Sequence, residues 1–237
     1  MSPTAGIAMA TQLPLDIGLR GHASFDGFVP GPNVAAVQAL GALAAGDPDG
    51  GVYLWGACGV GKSHLLQAAC RAAHESGRRS GYLPLGERGR FSPQILQGLE
   101  QLDLVCIDDL DAVAGERTWE LALLDLYHRL QENGGRWAFA ASARPDACGW
   151  LPDLGSRLAA GLVFGLRELD DADKLHVLRH RAEARGLVLA PEAARYLLTH
   201  CRRDLGALCA VLDRLDGAAL AAQRRLTIPF IRSVLGG

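Results

Sequence analysis

With 237 residues, 49% of them hydrophobic and 21% charged, the chain is long enough and apolar enough to bury a real core, which excludes a disordered polypeptide. Its formal net charge of -2 excludes a global field that would draw it to nucleic acid or to an anionic membrane. No C-x-x-C pair occurs among Cys58, Cys70, Cys106, Cys148, Cys201 and Cys209, so neither a zinc site nor a redox motif is suggested, and a reducing cytoplasmic location is expected. No apolar run is long enough to span a bilayer, so no membrane partner is expected.

Residues 1–22 carry few order signals and read as a flexible segment. Apolar spacing predicts a helix from Asn33 to about Ala45, and Gly46 to Gly51 reads as a loop. Val52 to Trp55 is the first strand expected, followed by a glycine-rich loop and a helix from Lys62 to about Glu75. Further strands are expected at Gly81–Leu85, Leu104–Ile107, Trp137–Ala141 and Leu162–Phe164, with a helix at Leu121–Gln131. Short apolar strands alternating with helices predict a five-stranded parallel sheet covered on both faces, over residues 23–168. After Asp170 the strand signal stops. Helices are expected at Asp173–Ala184 and Pro191–Cys201. Leu205, Leu208, Leu212, Leu215 and Ala219 mark one buried helix face, and Thr227-Ile228-Pro229 resembles a helix start. Residues 169–237 thus read as a small all-helical lid on the α/β base.

Gly56-Ala57-Cys58-Gly59-Val60-Gly61-Lys62-Ser63 fits G-x-x-x-x-G-K-S in full. Glycines let the loop turn its N–H groups onto phosphate oxygens, and the next helix presents its positive end to the same anion. Lys62 can reach the outer phosphates, and Ser63 can ligate Mg²⁺. In the same helix, His64 reads as packing beside that cofactor site. Leu104-Val105-Cys106-Ile107-Asp108-Asp109 supplies the acidic strand end: Asp108 for the Mg²⁺, Asp109 to orient or activate water. The bound nucleotide is left open between ADP and ATP.

These pieces together resemble the AAA+ module of the DnaA family. Ser24 to Gly31 leads the first helix, followed by G-x-x-x-x-G-K-S-H-L-L and then I-D-D-L. Ser142-Ala143-Arg144-Pro145 stands where the family carries sensor 1. Leu154-Gly155-Ser156-Arg157 is similar to the arginine-finger segment, and Arg203-Asp204-Leu205 to the lid's sensor 2. Within the family the chain is most similar to the regulatory homologs called Hda. It shows no helix-turn-helix region after the lid, and Gln12-Leu13-Pro14-Leu15-Asp16-Ile17 is similar to their sliding-clamp peptide.

The resemblance implies two partners: DnaA, and the β sliding clamp of DNA polymerase III. DNA would be engaged only indirectly. Gln12, Leu13, Leu15 and Ile17 would dock on the clamp, Arg157 would act in trans on DnaA-bound ATP, and Ser142 and Arg203 would sense the chain's own nucleotide. Ala141 and Ala143 depart from the hydrogen-bonding residues usual beside sensor 1, which implies weak hydrolysis by the chain itself. An autonomous ATPase that loads or remodels another complex, a DNA-binding initiator, and self-association remain open at this point.

Overall fold

Five short strands align in one parallel sheet: β1 (Gly51–Trp55), β2 (Ser80–Pro84), β3 (Leu104–Asp108), β4 (Arg136–Ala141) and β5 (Leu162–Gly165), in the spatial order β2-β3-β4-β1-β5. The computed structural model describes residues 23–47, 50–86, 91–202, 204–222 and 226–235. Neighbouring strands are in register, Val52 opposite Ala138 and Leu162, and Cys106 opposite Ala138.

The side-chain period of two sorts each strand between two cores. Val52, Leu54, Leu104, Cys106, Ala138 and Ala140 meet α1 (Val34–Ala45) and α2 (Lys62–Glu75), whose Leu40, Leu43, Leu65 and Leu66 are buried there. Tyr53, Val105, Ile107, Trp137 and Phe139 turn the other way, against α3 (Arg117–Glu132) and α4 (Pro152–Ala160). The large indole of Trp137 fits because its neighbours are glycines: a Cβ on Gly51 would lie 1.9 Å from Trp137 Cε2.

Beyond β5 come four helices, α5 (Asp171–Glu183), α6 (Pro191–His200), α7 (Leu205–Ala222) and α8 (Ile228–Leu235). They close over their own core of Leu178, Leu197, Leu208, Leu212, Leu215 and Ile231. Asp170 caps α5 by accepting from Asp173 N at 2.8 Å. Asn33, buried at the start of α1, accepts from Arg167 N at 2.8 Å and donates to Arg167 O at 2.9 Å. That pair ties the segment before α1 to the connection leading into the lid.

The predicted five-stranded parallel sheet and the helical lid are both present. Two local expectations need correction. α3 begins at Arg117, one turn before Leu121, because Trp119 and Glu120 are buried and fix that turn. The Leu154–Arg157 segment, read only as a motif, lies inside the nine-residue helix α4 that starts on Pro152. Among the described residues no helix is long and apolar enough to cross a membrane.

Candidate nucleotide site

The loop of residues 56–61 joins the C-terminal end of β1 to α2. It needs glycine at two places for stated reasons. Gly56 has φ 150°, and a Cβ there would sit 2.8 Å from Leu166 O. Gly61 has φ 107°, and a Cβ there would sit 2.7 Å from Phe28 Cε2. Lys62, 9% exposed, donates from Nζ to Gly56 O at 2.7 Å and to Ala57 O at 3.0 Å, which pins its ammonium inside the loop. Ser63 is exposed on the first turn of α2. The loop also meets the lid: Cys58, Gly59 and Val60 face Glu168, Leu169, Lys174, Asp204 and Leu205 across a narrow cleft.

β3 delivers the acids two strands away, beyond β4. Asp108 is 1% exposed and its carboxylate is held on both oxygens, Oδ2 by the Tyr82 hydroxyl at 2.8 Å and Oδ1 by Asp109 N at 3.0 Å. Burial, and then the Asp108 carboxylate beside it, push the Tyr82 phenol far above its ordinary range, so it stays a proton donor. Asp109 is the one described non-glycine residue with positive φ, at 51°. Its carboxyl is raised above the usual value, first by loss of water around it and then by Asp108; Lys62 opposes the rise and Asp111 adds to it.

The crowding of negative charge at Asp108, Asp109 and Asp111 is what a cation would relieve. The donors suit a hard cation such as Mg²⁺, with Asp108 and Ser63 the residues that would hold it. Among the described residues no group of three or more His, Cys, Asp or Glu side chains is placed to hold a metal ion, so a cation here would depend on the nucleotide's phosphates and water for its other ligands.

A raised carboxyl has a testable sign. Ionising Asp109 costs the folded state stability at neutral pH; the cost is absent below the unfolded-state pKa and complete above the folded-state one. Asp109→Asn is therefore expected to raise the melting temperature at pH 7. The gain should shrink to nothing as pH falls toward about 3, below the ordinary carboxyl value. Thermal melts across that range check it, and equal gain at every pH would contradict it.

The remaining expected residues fall into four groups. Ser142, at the end of β4, is occupied: its hydroxyl donates to Asp111 Oδ2 and its N–H to Asp111 Oδ1 at 3.2 Å. His64 bridges rather than faces the loop. Its Nε2 lies 2.9 Å from Ser24 O, its Nδ1 3.5 Å from Arg181 of α5, and its ring 5.5 Å from that of Phe28. Donation from Nε2 to the carbonyl leaves Nδ1 as acceptor, so the ring is neutral in this arrangement. Burial holds His64 below its usual pKa, against the Ser24 carbonyl and with the Arg181 charge helping. Arg157 stands on α4 with its side chain 43% exposed and only Asp153, one turn earlier at 3.3 Å, as ion partner among the described residues. Arg203, Gln12, Leu13, Leu15 and Ile17 lie outside the described residues.

Three positions escaped the sequence reading. Asp111 is the partner of Ser142. Glu120, 3% exposed, accepts from Gly115 N at 2.7 Å and from Leu151 N at 2.9 Å, and so sets where α4 and Arg157 start. Lys174 brings a cation from the lid to the cleft. The third acid of Ile107-Asp108-Asp109-Leu110-Asp111 was visible as a residue but carried no pattern, and the other two depend on contacts through space.

The chain is similar in fold to domain III of the replication initiation protein DnaA from Thermotoga maritima, with a TM-score of 0.79 at 20% identity, over 92% of this chain and 98% of that one. It is similar also to AMPPCP-bound DnaA from Aquifex aeolicus, TM-score 0.69 at 22% identity, over 82% of this chain and 65% of that one. The Thermotoga maritima RuvB Holliday junction branch migration motor follows, TM-score 0.67 at 16% identity, over 92% and 72%. A P-loop after the first strand, acids ending β3, a β2-β3-β4-β1-β5 sheet and a helical lid define an AAA+ nucleoside-triphosphatase fold. Residues 171–235 match the family described as Hda, lid domain. The chain thus has the fold of DnaA domain III, and its lid, over residues 171–235, matches the Hda lid pattern.

Proposed function

We propose that the chain is an Hda-like regulator of replication initiation: a nucleotide-bound protein that docks on the sliding clamp and stimulates hydrolysis of DnaA-bound ATP. The observation that carries the reading is the lid match over residues 171–235. One protein of similar fold, DnaA from Aquifex aeolicus, holds AMPPCP, which supports nucleotide as the cofactor. The P-loop glycines support it too, since a side chain at Gly56 or Gly61 would collide with its surroundings.

In this reading the chain's own nucleotide is a switch that orders base against lid. Lys62 and the loop N–H groups bind its phosphates, and Mg²⁺, held by Asp108 and Ser63, would neutralise charge on them. Ser142 is bound to Asp111, and Ala141 and Ala143 offer no hydroxyl, so little beyond Asp109 is left to position water. Arg157, exposed on α4, is free to enter a partner's site, where its guanidinium stabilises charge developing on the transferred phosphoryl. Arg203 serves the chain's own nucleotide from the lid. Gln12, Leu13, Leu15 and Ile17 hold the clamp as an extended peptide, so the chain meets DNA through the clamp and not directly.

The test mixes this chain, DNA-loaded clamp and ATP-loaded DnaA, and follows ADP formation with each component omitted in turn. Stimulation that needs all three is expected, and stimulation unchanged without the clamp would overturn the docking half. Replacing both Leu15 and Ile17 with Ala removes two buried apolar anchors at about 2 kcal/mol each, so clamp affinity should fall at least about 100-fold. Nucleotide binding should persist in that variant.

A further inference from the structure

Lysine is rare in this chain. Of its 24 basic residues 22 are arginine, and the two lysines are Lys62 and Lys174. Both are buried, at 9% and 6% exposure: Lys62 directly follows the loop whose Cys58, Gly59 and Val60 form one wall of the cleft, and Lys174 lines that cleft from the lid. Lys62 rises from the P-loop, and Lys174, in the first turn of α5, lines the opposite wall facing Cys58, Gly59 and Val60. Elsewhere the described ion pairs use arginine forks, as in Arg71–Glu75 at 2.8 Å and Arg129–Asp125 at 3.0 Å. A lysine ammonium is a compact, strongly hydrated point charge with three donors, and burying it is unfavourable without an anion.

The protein supplies that anion poorly. The one charge partner of Lys174 among the described residues is Glu168, with Nζ to Oε2 at 3.6 Å, beyond hydrogen-bond length, and with the glutamate side chain 63% exposed. Asp204, the other acid on the cleft, is already engaged: its Oδ1 accepts from Ala207 N at 2.8 Å and its Oδ2 pairs with Arg202 at 3.4 Å. The helix adds to the imbalance, because a cation in the first turn meets the positive end of the backbone dipole.

We propose that Lys174 is a nucleotide-binding residue contributed by the lid: its ammonium takes phosphate oxygens of the nucleoside di- or triphosphate seated on the P-loop. The proposal rests on the nucleotide reading given above. Glu168, on the connection between base and lid, keeps the ammonium over the cleft. Lid closure is then coupled to the phosphates themselves, with one lysine on each side of them.

Lys174→Met keeps most of the aliphatic stem and removes the charge. Titration with a fluorescent mant-ADP should show affinity about 10- to 100-fold weaker, the loss of one charge-assisted contact, while adenosine, measured by competition, binds as before. Unchanged mant-ADP affinity in the folded variant, or equal loss for ADP and adenosine, would overturn the proposal. A second measurement needs no variant. Selective isotope labelling of lysine gives two side-chain signals, and both should move with one midpoint as ADP is added; movement of the Lys62 signal alone would overturn the role of Lys174. If neither moves and mant-ADP fails to bind the wild-type chain, the nucleotide reading itself has failed.

Discussion

Arg157→Ala is expected to cut stimulation of DnaA-bound ATP hydrolysis by about 1,000-fold or more, the range over which arginine fingers act. The chain itself should stay folded. The side chain is 43% exposed, and its pair with Asp153 spans one exposed helical turn, worth about 0.3–0.5 kcal/mol. Helix α4 is anchored by the buried Leu154 and Leu158 and by Glu120 at its start, not by Arg157. Arg157→Lys should rescue little, because an ammonium cannot offer the planar fork that spans two phosphoryl oxygens. The readout is ADP formed on DnaA with loaded clamp present, alongside a melting curve and a clamp-binding assay on the same variant. Normal stimulation by Arg157→Ala would remove the finger assignment.

Lys62→Ala is expected to lower nucleotide affinity at least about 100-fold. A point charge that would contact more than one phosphate oxygen is lost, and each charge-assisted bond is worth about 1.5–3 kcal/mol. Nζ also donates to the carbonyls of Gly56 and Ala57, so a melting curve of the nucleotide-free variant is needed beside the titration to separate the loop's loss of these two bonds from the loss of phosphate contact. Ligand-induced stabilisation gives a direct check: at 100 times its Kd, ADP should stabilise the wild-type chain by about 2.7 kcal/mol and the variant hardly at all. Equal upward shifts of melting temperature in both would place the nucleotide elsewhere.

Much of this architecture is legible in the sequence. The runs at 104–107 and 137–141 are short, wholly apolar and flanked by polar residues, which suits strands buried on both faces, and the structure places β3 and β4 there. The P-loop was legible because eight consecutive residues carry its physics. Helix α4 was not, because nine residues opened by Pro152 give too short a period to separate from a loop. Ser142 is expected at the sensor 1 position from its local sequence, but the bond from its hydroxyl to Asp111, 31 residues earlier, is a pairing no local pattern announces. His64 shows the same limit: its partners Ser24 and Arg181 come from the segment before α1 and from the lid. Glu120 and Lys174 look like ordinary helical charges in the sequence, and only burial at 3% and 6% marks them out.

The P-loop of this chain and that of its proposed partner can be told apart by a label. DnaA is loaded with ATP labelled at the α-phosphorus, this chain with unlabelled nucleotide, and both are mixed with DNA-loaded clamp; the loading is then reversed. The account predicts labelled ADP when the label starts on DnaA, and little conversion in the same interval when labelled ATP starts on this chain. Rapid conversion of nucleotide held by this chain, with DnaA-bound ATP left intact, would contradict it.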